Sequence, residues 1–429
     1  MFFNILLDKI QQFLKPIYEN SFVLQKIDRL IGFNIFLVLI TSLFAQSDTI
    51  GYFAIFAIIL TAVKLLTKTG EKFELSTSDK FLLLYFIIVI ISVAGSSLFY
   101  MSFKGFTKTL TYLCFYVSVI HYFKDNRDKI KWVFIILALC SCYETIFAFL
   151  QHFGAVEEIS GWQDMSHLNP EEIMTRVYGT LQPYNPNLFG GYMLSVIPAF
   201  ITLPFINKKL IPLSAICGIL SCAGLFFTGC RGAYIGLFFE VIVLVLITYH
   251  FLKSGFKRFF TMFIGIMTAG ITTLILSISS LRARIFSIFA MRSDSSNSFR
   301  FNVYNSCIQM FKDNWLLGIG CGNQNFREIY GLYMRTGFDA LSAYNIFLET
   351  AVESGIFALI AFIGFLGVTI AKAVKYILST KTKETVFVLA ALISIVGMLT
   401  HGFVDTVFFR PQIQFIFWIM IGVIRVSKK

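Results

Sequence analysis

Apolar runs long enough to cross a bilayer recur from one end of this 429-residue chain to the other. About twelve can be read, each ~15–22 residues long. They centre on Leu37, Phe56, Ile88, Phe115, Ala138, Ile197, Ile219, Val243, Thr268, Ile360, Leu392 and Trp418. No soluble domain repeats such runs, so the expected fold is all-α: a polytopic integral membrane protein with about twelve transmembrane helices and two long extracytoplasmic loops. Composition agrees, at 57% hydrophobic and 17% aromatic residues with a mean hydropathy of +0.75. The eight cysteines form no CxxC pair and mostly lie inside apolar runs, where they read as small buried hydrophobes. Cys307 and Cys321 share one loop, which permits a disulfide without requiring it.

An even number of spans puts both termini on one side. Sorting Lys and Arg by alternate loops gives 23 on the terminal side and 11 on the other, which places both termini in the cytoplasm. The net charge of +12 therefore reflects membrane topology, and nucleic acid is not an expected partner. Charge identity carries a further message. The terminal side holds nineteen Lys and four Arg, whereas the opposite side holds two Lys and nine Arg. Guanidinium binds phosphate or carboxylate through a rigid fork, so an anionic ligand is expected at the outer face. The alternative is local pairing with acids such as Asp294, Asp313, Glu328 and Asp339, or with lipid phosphates.

The chain divides accordingly. Residues 1–29 form a cytoplasmic amphipathic segment, 30–152 the first spans, and 153–187 an extracytoplasmic loop. Residues 188–281 form the central spans, 282–342 the large extracytoplasmic loop, and 343–429 the last spans with a short cytoplasmic tail. In the first segment, Asp8 and Lys9 interrupt what a signal peptide would keep apolar. Phe2, Phe3, Leu6, Ile10 and Phe13 share a face, as in a helix lying on the membrane or extending the first span. The 153–187 loop carries Glu157, Glu158, Asp164, Glu171 and Glu172. In the large loop, Phe301, Tyr304, Ile308 and Phe311 recur at helical spacing, predicting an amphipathic helix against the membrane with Arg300 near its start.

Five stretches suggest chemistry. FTGCRGAYIGL (227–237) sets Arg231 between Gly229 and Gly232, which let backbones approach closely. YNPNLFGGYM (184–193) puts Asn185, Pro186 and Asn187 either at a helix start or on the lining of a polar cavity. GIGCGN (318–323) reads as a turn beside the membrane, because no βαβ unit precedes it. SAYNIFLETAVESG (342–355) spaces Glu349 and Glu353 one helical turn apart, on a face that should look into a cavity. THGFVDTVFFRPQ (400–412) brings His401, Asp405 and Arg410 between the last two spans, where Asp405 can orient an imidazole acting as acid or base. No metal cluster or nucleotide loop is present in the sequence, so no metal and no cofactor is expected.

Taken together, CRGAYIGL, the run from Arg300 to Trp315 leading into LLGIGCGN, and YNIFLETAVESGIFA resemble the O-antigen ligase and polymerase superfamily of bacterial membrane proteins. RVYGTLQPYNPNLFGGYM, LSAYNIFLETAVESG and HGFVDTVFFRPQIQ are similar to one branch, the IctB family, named as bicarbonate transporters. The resemblance spans Trp162 to Trp418. It implies a bacterial cytoplasmic (inner) membrane protein whose partners are membrane lipid and a polyprenyl-pyrophosphate-linked glycan, held by arginines at the positions of Arg231 and Arg300. Asn187, Asn345 and Arg410 complete the expected substrate-binding set.

In the ligase branch a histidine preceding an Asn serves as base; the matching residue here, before Asn345, is Tyr344. An unperturbed tyrosine is protonated near neutral pH, so the base has to come from Glu349, Glu353, His401 or a perturbed Tyr344. The implied activity is glycosyl transfer or polymerisation at the extracytoplasmic face. The alternative is bicarbonate transport, for which Glu144 and Glu240 are the clearest intramembrane acids.

Overall fold

The computed structural model describes residues 2–154, 176–290, 294–380 and 382–427, and among these there is no β-strand. The acidic residues Glu157, Glu158, Asp164, Glu171 and Glu172 lie outside the described residues. In chain order the helices are α1 (Phe2–Asn20), α2 (Phe22–Gln25), α3 (Ile27–Thr41), α4 (Ser47–Thr67), α5 (Thr77–Ala94) and α6 (Phe99–Asp125). Then come α7 (Ile130–His152), α8 (Pro186–Val196), α9 (Leu203–Ile206), α10 (Ile211–Phe227), α11 (Arg231–Phe251) and α12 (Ser254–Ser277). The last are α13 (Ser279–Phe286), α14 (Ser295–Asp313), α15 (Asn323–Tyr330), α16 (Ile346–Ser379), α17 (Thr385–Gly402) and α18 (Pro411–Val426).

All twelve expected centres fall on helical backbone, and nine helical stretches among the described residues are long and apolar enough to cross a membrane. The all-α polytopic reading therefore holds. The exceptions have local causes. α3 and α18 have only 15 and 16 residues, about 22–24 Å at 1.5 Å per residue, and α6 carries Lys104, Lys108 and Lys124. Nearly every residue of α18 is buried in protein, so lipid thickness does not set its length. Around α18 and the equally buried α8 and α17 pack α6, α11 and α16, with α5 outside α16. α12 lies at the periphery with no buried residue, although its hydropathy matches that of its neighbours.

Starts are encoded locally. Ser76 and Asp79 form a reciprocal capping box at α5, Asn185 caps α8 ahead of Pro186, and Asn345 caps α16. α1 docks through Gln11, whose side chain bonds Leu65 O, Glu71 O and Gly70 N, while Phe13 stays 82% exposed. Arg425 near the end of α18 pairs with Asp79 and bonds Glu74 O. Both termini thus meet the same α4–α5 connection.

The large loop is a folded lobe with its own core: Val303, Cys307, Met310, Ile319, Phe326, Tyr330 and Ala343 pack together with Val352 of α16. On α14 the buried stripe is Val303, Cys307 and Met310, and Ile308 of the expected stripe is exposed. Both stripes have helical spacing, and packing against α16 selects the one with smaller side chains. Cys307 and Cys321 are both buried and free, with no disulfide between them. The lobe is joined to α16 where that helix breaks at Gly355, which has φ 79°. Carbonyls freed by the break are taken up by the glycine-rich segment: Ile319 N bonds Val352 O at 3.0 Å and Gly320 N bonds Glu353 O at 2.9 Å. Ile356 N returns to Trp315 O at 2.9 Å. GIGCGN is therefore a backbone splice, and a Cβ at Gly322 would press on Gly105 of α6.

Candidate functional site

The tight turn Thr228–Cys230 joins α10 to α11, with Gly229 at φ 61°. Arginines from two other segments hold its carbonyls: Arg176 Nε donates to Thr228 O at 2.8 Å and Arg284 Nε to Gly229 O at 2.7 Å. Arg231 opens α11, and its Nη1 reaches Asp294 Oδ1 at 2.9 Å and Ser287 O and Oγ at 3.1 Å. Arg300 on α14 bonds Ser296 Oγ at 2.9 Å and lies 3.5 Å from Asp405 Oδ2. Its buried Nε has no hydrogen-bond partner among the described residues. Asn187 connects the two halves, accepting from Arg176 Nη2 at 2.6 Å and donating to Asp405 Oδ2 at 2.9 Å.

These residues surround one cavity of about 230 Å³ that is also lined by His401, Cys230 and Tyr304. Among the described residues, four guanidiniums converge there against a single lining carboxylate, Asp405, with Asp294 behind Arg231. Burial pulls Arg284 down to about 10 and lowers Arg176, and a guanidinium keeps its proton in proteins. Such poorly hydrated cations gain from a bound anion, and guanidinium forks suit phosphate-type oxygens.

His401 is buried between α8 and α11, in a slot that exists because Gly191 and Gly232 lack Cβ atoms. Its Nε2 lies 3.4 Å from Cys230 Sγ. Asp405 does not orient the imidazole as expected from their spacing. Its carboxylate is occupied instead by Asn187, Arg300 and the Val407 amide.

Of the remaining expected site residues, Tyr344 lies beside the cavity. It has φ 50°, a left-handed conformation that a bulky residue keeps only when surroundings over-determine it. Its carbonyl accepts from Tyr304 Oη at 3.1 Å, its ring meets Phe299 edge-on, and the Arg300 guanidinium carbon lies 5.8 Å from its ring centre. Burial, reinforced by Asp405, raises its phenol above the usual tyrosine value, so it stays protonated.

Asn345 is committed to structure, capping Phe347 N and Leu348 N and donating to Phe403 O. Arg410 is exposed ahead of α18 and does not line the cavity. Glu349 and Glu353 do share a face, but not one that looks onto the arginines. Glu353 Oε1 accepts from Gly322 N at 2.8 Å and Glu349 Oε2 from Ala343 N at 3.1 Å. The splice turns this face towards α6, where both line a separate cavity with Lys104 and Lys108.

Other arginines are engaged elsewhere: Arg327 pairs with exposed Asp339 at 2.8 Å, Arg335 bonds Asn302, and Arg282 bonds Leu276 O. Arg176, which opens the RVYGTLQPYNPN stretch, and Arg284, which has no flanking motif, were not among the expected site residues, and folding singles them out. Among the described residues no three His, Cys, Asp or Glu side chains gather in a metal-holding group.

Residues 216–363 match the family described as O-antigen ligase. The match runs from α10 into α16 and includes Arg231, Arg284, Arg300, Tyr344, Glu349 and Glu353; Arg176, Asn187, His401 and Asp405 lie outside it. No curated protein matches the chain.

Proposed function

We propose that this protein transfers or polymerises a glycan carried on a polyprenyl pyrophosphate, at the membrane face where the arginine cavity lies. The observation that carries the reading is the convergence of Arg176, Arg231, Arg284 and Arg300 on one cavity that, among the described residues, has a single lining carboxylate. The match of residues 216–363 to the O-antigen ligase family supports it. The larger number of Lys and Arg on the terminal side, 23 against 11, supports reading this face as the extracytoplasmic side of a bacterial inner membrane.

In the reaction, the bond between the anomeric carbon and the pyrophosphate oxygen breaks, and its electron pair leaves on pyrophosphate. The guanidiniums stabilise that charge as it develops. The acceptor hydroxyl oxygen bonds to the anomeric carbon, and its proton passes to a base. His401 is the histidine among the described cavity-lining residues and takes that role in this reading, while Tyr344 positions Arg300.

The test is release of polyprenyl pyrophosphate from a lipid-linked glycan by purified protein. Arg300→Ala is expected to reduce kcat/KM about 100-fold, as for loss of one preorganised donor to developing charge, with unchanged thermal stability. Full activity in both Arg300→Ala and Arg231→Ala would overturn the mechanism. An IctB-like bicarbonate carrier would use the same cationic cavity, so absence of release together with bicarbonate flux in protein-loaded vesicles would favour that reading instead.

A further inference from the structure

The segment His401–Arg410 walls two cavities. His401, Val404 and Asp405 line the arginine cavity, and Phe408 and Phe409 line a second one of about 240 Å³. The second is chemically opposite to the first. Glu349 and Glu353 project into it, amide side chains come from Gln414 and Gln324, and Tyr112 and Trp418 add aromatic surface. Trp418 Nε1 donates to Gln414 Oε1 at 2.8 Å, which fixes the amide and leaves its NH₂ as a donor. Glu349 is only 3% exposed, yet its Oε1 accepts no hydrogen bond among the described residues, its other oxygen being held by Ala343 N. At the rim, Lys104 and Lys108 are exposed, one turn apart on α6, and make no ion pair among the described residues.

A carboxyl on so deeply buried a residue, with one oxygen left open to the cavity, suits a ligand group that hydrogen-bonds it. Two ligand groups suit a carboxyl within aromatic walls: an ammonium, through charge and ring faces, or a hydroxyl. The two rim lysines repel an ammonium on approach. A hydroxyl both donates and accepts, so it satisfies the carboxyls in either protonation state as well as the amides, and the apolar face of a sugar ring covers aromatic surface. We infer that this second cavity binds the hydroxyl-bearing acceptor glycan, with Lys104 and Lys108 favouring one that carries an anionic group. The inference rests on the transfer reading for the word acceptor, and on the cavity alone for the sugar. It gives the two Glu residues a binding role, distinct from the base in the arginine cavity.

Saturation-transfer NMR on the full-length detergent-solubilised protein tests it, with cellobiose, lactose, chitobiose and cellobiouronic acid as probes. Transfer to at least one sugar is expected, strongest for the uronic acid, in wild type and equally in Arg300→Ala. Glu349→Gln should weaken binding roughly tenfold, the worth of about one hydrogen bond. The exposed Lys104→Glu, Lys108→Glu pair, which leaves the core untouched, should remove the preference for the uronic acid while keeping neutral-sugar binding. No transfer to any of the four sugars, unchanged binding in Glu349→Gln, or tighter binding of tetramethylammonium than of the sugars would each overturn the inference. Sugar binding without polyprenyl pyrophosphate release would overturn the transfer reading alone; release without sugar binding would overturn the cavity assignment alone.

Discussion

Gly232 shows how one missing methyl group shapes the arginine cavity. A Cβ there would lie 2.5 Å from His401 Cδ2 and 2.8 Å from Val404 Cγ2, so Gly232→Ala has to push the imidazole out of its slot. The expected outcome is a loss of about 1–3 kcal/mol in unfolding free energy, with turnover falling more than binding of the lipid donor. Paired thermal-unfolding and steady-state measurements check both. Asp405 acts in the opposite sense, through charge. Asp405→Asn keeps a partner for Asn187 but removes the carboxylate nearest Arg300, so inorganic pyrophosphate should inhibit the variant several-fold more strongly than wild type. Unchanged inhibition would mean that Asp405 does not tune the cavity. Arg231 is legible in sequence because its glycine neighbours announce close packing. Arg176 and Arg284 are not, since only the three-dimensional course of the chain brings their Nε atoms to the carbonyls of one turn.

At the scale of elements, the break in α16 joins the lobe to the membrane helices. Gly355→Ala meets two obstacles, a positive φ and a clash with Leu316 O. It should cost at least about 2 kcal/mol and loosen the lobe, detectable as faster amide exchange at Ile319, Gly320 and Ile356. A second comparison tests where the core lies. Phe417→Ala on α18 removes a fully buried ring and should cost about 3–5 kcal/mol, whereas Phe263→Ala on lipid-facing α12 should cost under about 0.5 kcal/mol. Hydropathy gives nearly the same signal for α12 as for central α17, because lipid and protein interior are equally apolar. The sequence therefore located the helices without ordering them from centre to edge. For the same reason it marked a helical stripe on α14 but not the stripe that packs.

For the molecule as a whole, the end opposite the arginine cavity is tied by ionic contacts. Lys64 reaches Asp28 at 2.6 Å, Asp125 at 3.0 Å and Glu71 at 3.3 Å, and Lys68 joins the same acids. Burial opposes ionisation of Glu71, but the His121 hydrogen bond and the charges of Lys64 and Lys68 outweigh it and hold the carboxyl at about 2. Its folded-state value lies below the usual 4.5, so its contribution is present above that pH and is lost as pH falls towards 2. Wild-type stability should decline across this interval, and Glu71→Gln should flatten the decline; parallel profiles would remove Glu71 as the cause. Because α1 and α18 meet the same connection, tags at both termini should be protected together from external protease in intact cells, and from the cytoplasmic side accessible together.

By itself the sequence determined the helical membrane fold, the positions of the helices, and an unequal use of Arg and Lys on the two sides. These are one-dimensional properties: a bilayer tests each run separately for length and polarity, and loops separately for charge. Tertiary structure alone decided which arginines share a cavity, that His401 faces it, and that Glu349 and Glu353 face another. The physical reason is rotational. Spacing fixes which residues share a helical face, but the direction of that face follows from contacts between distant segments, here the pairing of residues 315–322 with the break at Gly355.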